Sequence, residues 1–289
     1  MLAKVFLEIA SGCNLSCSFC PPTRRKAEFL DRGRFELFLD RLSGSGDHLY
    51  FHLKGEPLLH PGLADFLAAA GGRGFAVTLT TNGTLVGKRA EALLGAANLR
   101  KLSVSLHSHS GAPDPEEYWR GVEAFLDAHR LRPSFPVSLR LWNRSAGRLP
   151  PGTARLWELL RARYPALGDW DPDAVLPAGT RLDHRVYLNP AEEFAWPDLS
   201  RPEEGTRGFC HALRNQAGVL VDGTVVPCCL DGEGVMALGN LRDAPLGEIL
   251  AAPRARAIRE GFSRRELVEP LCRTCGYRKR FDSGGLSKA

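Results

Sequence analysis

KVFLEIASGCNLSCSFC, residues 4–20, decides how the rest of the chain is read. Residues 4–9 are mostly apolar and too few for a helix, which predicts a first strand. Small and polar residues follow, and among them stand Cys13, Cys17 and Cys20. Three thiolates this close in sequence can converge on one centre. Three is one short of a closed tetrahedral zinc site and one short of a fully ligated iron–sulfur cubane. A zinc ion would borrow a fourth ligand, such as His52 or His60. A [4Fe–4S] cluster would keep one iron open for a small molecule.

Outward from this strand, apolar runs alternate with helix-like stretches. Strands are expected at 4–9, 48–53, 75–80, 101–106, 137–141 and 185–188. Helices are expected at 34–42, 62–70, 87–94, 115–130 and 154–164. Strand-then-helix, repeated and closed by a last strand, predicts an α/β fold with a parallel sheet. Six strands are too few for a complete eight-fold barrel, which leaves a partial (β/α)6 barrel or an open sheet. A looser stretch at 165–180 holds Gly168, Pro172, Pro177 and Gly179. Prolines then mark a linker at 191–208, dividing a domain at 1–190 from one at 209–289. In the second domain, β-rich runs at 218–221 and 224–227 flank Asp222-Gly223, a hairpin signal. A helix is expected at 246–260.

The 289 residues carry 44% hydrophobic and 25% charged residues with a net charge of +5, which is ordinary for a globular protein. No apolar run is long enough for a membrane span, and the start does not read as a signal peptide. A cytoplasmic location is expected. Nucleic acid is not expected as a partner, because no dense Lys/Arg run exists. Eight cysteines in such a chain point to metal or redox chemistry rather than to a disulfide scaffold.

The triad, with Phe19 before its last cysteine, resembles the signature of the radical S-adenosylmethionine (SAM) superfamily. The resemblance implies that the open iron takes the amino and carboxylate groups of SAM. Reductive cleavage then gives a 5′-deoxyadenosyl radical that abstracts a substrate hydrogen. Lys54-Gly55-Glu56-Pro57 resembles the family's GGEP element with Lys in place of the first Gly. By that resemblance Gly55, Glu56 and Pro57 hold the SAM ammonium. Thr80-Thr81-Asn82-Gly83 resembles the family's TNG strand end, which makes Asn82 a SAM contact. Ser105 and Arg140, on the fourth and fifth strands, are the implied contacts to the SAM carboxylate or ribose. His107 and His109, beside the fourth strand end, are the candidates for taking a proton from a substrate hydroxyl. His52, Trp142 and Asn143 are further substrate-side candidates, and Glu8 is a weaker base candidate.

Cys210, Cys228, Cys272 and Cys275 make a second four-thiolate set, with Cys229 adjacent. A zinc ribbon satisfies them. The set also resembles the SPASM/Twitch extension of radical SAM enzymes: a Cys before a hairpin, Gly-x4-Cys (Gly223 to Cys228), then Cys-x2-Cys. Five cysteines suit the shorter Twitch form, which implies one auxiliary [4Fe–4S] cluster. Cys228 keeps the register and is the implied ligand; Cys229 is the spare. Four ligands would close that cluster and suit it to electron transfer.

Four functions follow. The first is an oxidoreductase similar to the single-auxiliary-cluster alcohol dehydrogenases of aminoglycoside biosynthesis. The second is a peptide-modifying maturase, and the third a nucleotide-rearranging enzyme like the molybdenum-cofactor cyclase. That cyclase ends in Gly-Gly, whereas here Gly284-Gly285 is followed by more chain. The fourth is a non-enzymatic zinc protein. The radical SAM oxidoreductase is the expectation. Its partners would be a small-molecule or short peptide substrate and a flavodoxin- or ferredoxin-type electron donor.

Overall fold

A computed structural model describes residues 1–168 and 179–281 of the chain. Pro172, Pro177, Gly284 and Gly285 lie outside the described residues. In chain order the elements begin β1 (Lys4–Leu7), α1 (Arg32–Leu42), β2 (His48–Tyr50), α2 (Leu63–Gly72), β3 (Ala76–Thr81) and α3 (Ala90–Leu94). Then come β4 (Leu99–Ser105), α4 (Pro115–Leu131), β5 (Val137–Arg144), α5 (Ala154–Arg163), β6 (Thr180–Asp183) and β7 (Val186–Glu192). The remainder is β8 (Gln216–Val219), β9 (Thr224–Val226), β10 (Gly239–Asn240), α6 (Leu246–Ala251), α7 (Pro253–Ser263) and α8 (Pro270–Arg273).

The chain folds into two compact units that are not collinear with it. One takes Met1–Gly12, Pro22–Gly55 and Phe194–Ala289; the other takes Cys13–Pro21 and Glu56–Glu193. In the first unit the strand order is β10-β9-β8-β1-β2. β1 lies parallel to β2 and also parallel to β8, with Lys4 opposite Gln216 and Leu7 opposite Val219. The expected hairpin forms as β8 and β9, antiparallel across Asp222-Gly223, and β10 extends it. In the second unit the order is β3-β4-β5-β7-β6. Its β3, β4, β5 and β7 are parallel, and β6 runs antiparallel to β7. Neither strand series closes on itself.

Local chemistry explains the elements. Asp31 caps α1 by accepting from the Arg34 N–H, and Phe35, Phe38, Leu39 and Leu42 bury one face at helical spacing. Asp114 caps α4 in the same way, with Pro115, Glu116 and Glu117 in its first turn. β5 is buried along most of its length, as a central parallel strand is.

Several elements differ from expectation, among them β2, which ends at Tyr50 rather than at residue 53. The helix expected at 246–260 is two helices. Pro253 cannot donate to a continuing helix and pushes Ala252 into extended backbone, with φ −64° and ψ 153°. The sixth expected strand, β7, runs on to Glu192 and gains β6 as an edge. The third helix keeps only Ala90–Leu94, because the Gly83 and Gly87 region before it is turned rather than helical.

Candidate active site

The triad sits on an irregular loop of the second unit. Cys13 and Cys20 are exposed and Cys17 is half-buried. The Cys20 N–H donates to the Cys17 carbonyl at 3.1 Å, which turns the loop so that both side chains leave one bend. Cys13 Sγ accepts from Asn82 Nδ2 at 3.5 Å, and the Cys17 thiol donates to Ser108 Oγ at 3.9 Å. Burial pushes the Cys13 and Cys17 thiols up. Phe19 packs edge-on to His107, with ring centroids 4.6 Å apart.

The donors suit an iron–sulfur cluster. They are three soft sulfurs on one loop, and an N–H donor is already aimed at one of them.

Gly55 stands at φ +70°, and a Cβ there would overlap the Ala10 carbonyl and lie 2.7 Å from the Ser11 carbonyl carbon. Gly55→Ala is therefore expected to cost more than about 1–3 kcal/mol, combining left-handed strain with a backbone clash. A fall in thermal midpoint measures it; an unchanged midpoint would contradict the close approach. Lys54, at the family's first-glycine position, is buried. Its stem packs where a Gly232 Cβ would stand, and its Nζ lies 4.9 Å from the Trp196 ring centre.

Glu56 is buried at the entrance to the 3-10 turn Pro57–Leu59, whose Pro57 is also buried. Its carboxylate accepts from Leu58 N at 2.9 Å, Thr81 Oγ1 at 2.8 Å and Asn82 N at 2.6 Å. One side chain thus fixes the end of β3. Burial outweighs these three donors and pushes the carboxyl up to about 7 from 4.5. Its folded value lies above the unfolded one. Its stability contribution is therefore full below about 4.5 and is lost as pH rises through 7, about 3 kcal/mol in all. Unfolding of wild type and Glu56→Gln across pH 4–8 should show the variant lacking that loss, whereas parallel curves would contradict it. A cation beside Glu56 would favour its charged form.

Ser105 ends β4 opposite Arg140 on β5. The Arg140 guanidinium lies over the Trp142 ring at 4.5 Å, so both share a face as the alternation predicts. His107 and His109 fall in a buried 3-10 turn, Leu106–Gly111, and their surroundings differ. His107 Nδ1 is 3.1 Å from the Arg140 carbonyl and 3.3 Å from the Trp142 N–H. Burial and the Arg140 charge bring its pKa down to about 4, which leaves a neutral ring poorly matched to a base role. His109 is also buried, and neither ring nitrogen has a hydrogen-bond partner. Burial lowers its pKa, against the Glu116 charge and the Pro115 backbone, which raise it. Its ring stands edge-on to Tyr118 at 5.5 Å, and the Tyr118 hydroxyl donates to the Ser105 carbonyl at 3.5 Å.

The second cysteine set belongs to the first unit. Cys228 is half-buried, and Cys229, Cys210 and Cys272 act on it electrostatically; Cys275 acts on both Cys210 and Cys272. Burial raises all four thiols, Cys210 to about 11, so any metal must displace their protons. The Cys272 thiol lies 3.7 Å from Met236 Sδ. Asp231 holds Met236 there, accepting from Val235 N at 2.9 Å and from Met236 N at 2.8 Å. Cys229 also packs, beside Tyr50, against Phe6, Leu53, Leu220 and Val226.

Residues 7–137 match the radical SAM superfamily model, and residues 210–276 match the SPASM iron-sulfur cluster-binding domain. A GTP 3′,8-cyclase from Synechococcus sp. (strain WH7803) is 35% identical over 79% of this chain and 80% of its own. This chain belongs to the radical SAM superfamily. As a radical SAM enzyme it uses a [4Fe–4S] cluster and SAM, and its SPASM region an auxiliary iron–sulfur cluster. Its fold is that of BtrN solved with AdoMet and 2-DOIA, at TM-score 0.62 and 20% identity over 95% of this chain and 93% of that one. SuiB from Streptococcus suis, solved with the precursor peptide SuiA, gives TM-score 0.60 at 17% identity over 96% and 70%. Two further curated relatives are matched over only 24% and 42% of their own length. No described helix is long and apolar enough to cross a membrane.

In this radical SAM enzyme the second unit holds Cys13, Cys17, Cys20, Glu56, Pro57, Asn82, Ser105, His107, His109 and Arg140, while Gly55 and the C-terminal cysteines belong to the first. Glu8, a base candidate by sequence, is fully buried in the first unit and saturated. It takes Arg25 Nη1 at 2.8 Å and Nη2 at 2.7 Å, Lys54 N at 3.2 Å and Val221 N at 3.0 Å. Sequence reasoning passed over Asn14, Thr81, Thr84 and Tyr118. Thr81 and Thr84 flank Asn82-Gly83 and carried a turn signal; Asn14 and Tyr118 carried none.

Proposed function

We propose that this radical SAM enzyme is an oxidoreductase whose auxiliary cluster is fully ligated by protein. What supports it is that Cys210, Cys228, Cys272 and Cys275 act on one another electrostatically within one unit, in the register of the SPASM pattern; Cys229, which also acts on Cys228, packs beside Tyr50 against apolar side chains. Four thiolates leave no iron open to substrate, and electron transfer is what remains for such a cluster. When bound, the first cluster with SAM supplies a 5′-deoxyadenosyl radical that takes a substrate hydrogen atom, and the second supplies an electron acceptor. Cys13, Cys17 and Cys20 hold the first cluster. Glu56 favours the SAM ammonium, and Ser105 and Arg140 offer a hydroxyl and a cation to its carboxylate or ribose. His109, with unpartnered ring nitrogens, is the base candidate favoured over His107.

Residues 1–190 form the SAM-cleaving domain, 191–208 the linker and 209–289 the auxiliary-cluster domain. The enzyme works in the cytoplasm with a flavodoxin- or ferredoxin-type donor on a small molecule or short peptide. The test is anaerobic reconstitution with SAM and a reductant, followed by profiling of deuterated candidate alcohols. The expected result is 5′-deoxyadenosine carrying deuterium, matched by a two-electron-oxidised product. 5′-Deoxyadenosine without any oxidised product would sink the proposal. A second function, nucleotide rearrangement, has the Synechococcus relative in its favour. Consumption of GTP without net oxidation would select it.

A further inference from the structure

We infer that Asn82 is a positioning residue for the first cluster: its side-chain amide donates to the Cys13 sulfur and helps that sulfur carry the electron. Asn82 Nδ2 lies 3.5 Å from Cys13 Sγ and 2.9 Å from Asn14 Oδ1. Asn82 Oδ1 accepts from Thr84 N at 3.0 Å and Thr84 Oγ1 at 2.7 Å. Asn14 Nδ2 closes the ring by donating to Thr84 Oγ1 at 2.9 Å.

The orientation of the amide follows from this ring. A backbone N–H can only donate, so the oxygen of Asn82 must face Thr84, and its NH₂ must face the sulfur. Both amide hydrogens and both oxygen lone pairs are then in use. That leaves the side chain no bond for SAM, the role its strand-end motif implies. The backbone is fixed as well. Glu56 accepts from Asn82 N at 2.6 Å, and Thr81 Oγ1 accepts from Gly83 N at 3.0 Å. A donor held this firmly stabilises a thiolate more as negative charge builds on the cluster, which raises the reduction potential.

The inference rests on Cys13, Cys17 and Cys20 holding the first cluster. The full-length protein, loaded with both clusters, is titrated by electron paramagnetic resonance as wild type, Asn82→Ala and Asn82→Asp. Losing one hydrogen bond should raise the oxidised-to-reduced ratio at fixed potential about fivefold, or about 40 mV for one electron. Asn82→Asp keeps its acceptor towards Thr84 but turns an oxygen on the sulfur, so its shift should be larger. SAM affinity should change by less than about twofold, since no direct contact is lost.

An unmoved potential with weakened SAM binding would overturn the inference and make Asn82 a SAM contact. Wild type labelled with ¹⁵N only at asparagine side-chain amides gives a readout without substituting Asn82. A ¹⁵N coupling to the reduced first cluster that persists in Asn14→Ser supports the inference, and its absence in wild type, or its loss in Asn14→Ser, defeats it even if the Asn82 variants fail to take up iron. A wild-type protein with no cluster at the triad would remove the underlying assignment too; a cluster whose potential ignores Asn82 removes only this inference.

Discussion

Cys17→Ala is expected to lower SAM cleavage by more than about a hundredfold, while Cys275→Ala keeps measurable cleavage and loses substrate turnover. Loss of even an outer partner of a metal ligand costs about 10–100-fold, so loss of a ligand exceeds that. The triad loop has no fourth cysteine to substitute. Cys17 is also the half-buried member of the three, with its thiol against Ser108. Cys275 belongs to the other set, where it acts electrostatically on Cys210 and Cys272. Its removal leaves the SAM-cleaving loop chemically intact and opens the cluster proposed to accept the substrate electron. Assays of 5′-deoxyadenosine and of oxidised product on both variants separate the roles. The reverse order of losses would refute them.

Glu8→Ala is expected to destabilise the fold by about 3–5 kcal/mol, the range for breaking a buried ion pair from one side. Glu8 is wholly inaccessible, and Arg25 is 18% exposed. Removing the carboxylate strands a largely buried guanidinium and two backbone N–H groups, those of Lys54 and Val221. Arg25 also donates through Nε to the Gly232 carbonyl at 2.7 Å, so its position affects a second segment of the same unit. The double variant Glu8→Leu/Arg25→Leu should cost less than the two single leucine changes added together, because neither charge is left alone. Urea unfolding of the four proteins measures the cycle. Additive losses would show that the pair is not coupled.

Much of this was legible from residues alone. Apolar runs between turn signals located the parallel strands, because strands buried on both faces have little polar residue to interrupt them. Cysteine position divided the thiols between an N-terminal triad within eight residues and a set in the last 80 residues, and the family matches at 7–137 and 210–276 fall on the same two regions. The pairing of β8 with β1 was not legible: a hairpin signal names its own two strands and says nothing of the third they join. Nor was the role of Glu8. A lone carboxylate on a strand resembles a base until Arg25, in a separate loop, is seen to meet it. His107 and His109 looked equivalent in sequence. Only burial and hydrogen-bond geometry show one tied to the Arg140 carbonyl and the other without a partner. Asn82 illustrates the same limit, for its motif names a strand end and says nothing of the hydrogen bonds its amide makes with Asn14, Thr84 and Cys13.

The central claim is that the two cysteine sets hold two cubanes, the second closed by four cysteines. Anaerobic purification with iron, sulfide and zinc analysis and Mössbauer spectroscopy tests it most directly. About eight irons and eight sulfides per chain are predicted, falling to about four of each in Cys13→Ala/Cys17→Ala/Cys20→Ala and, separately, in Cys272→Ala/Cys275→Ala. A colourless protein with about two zinc ions per chain would contradict it.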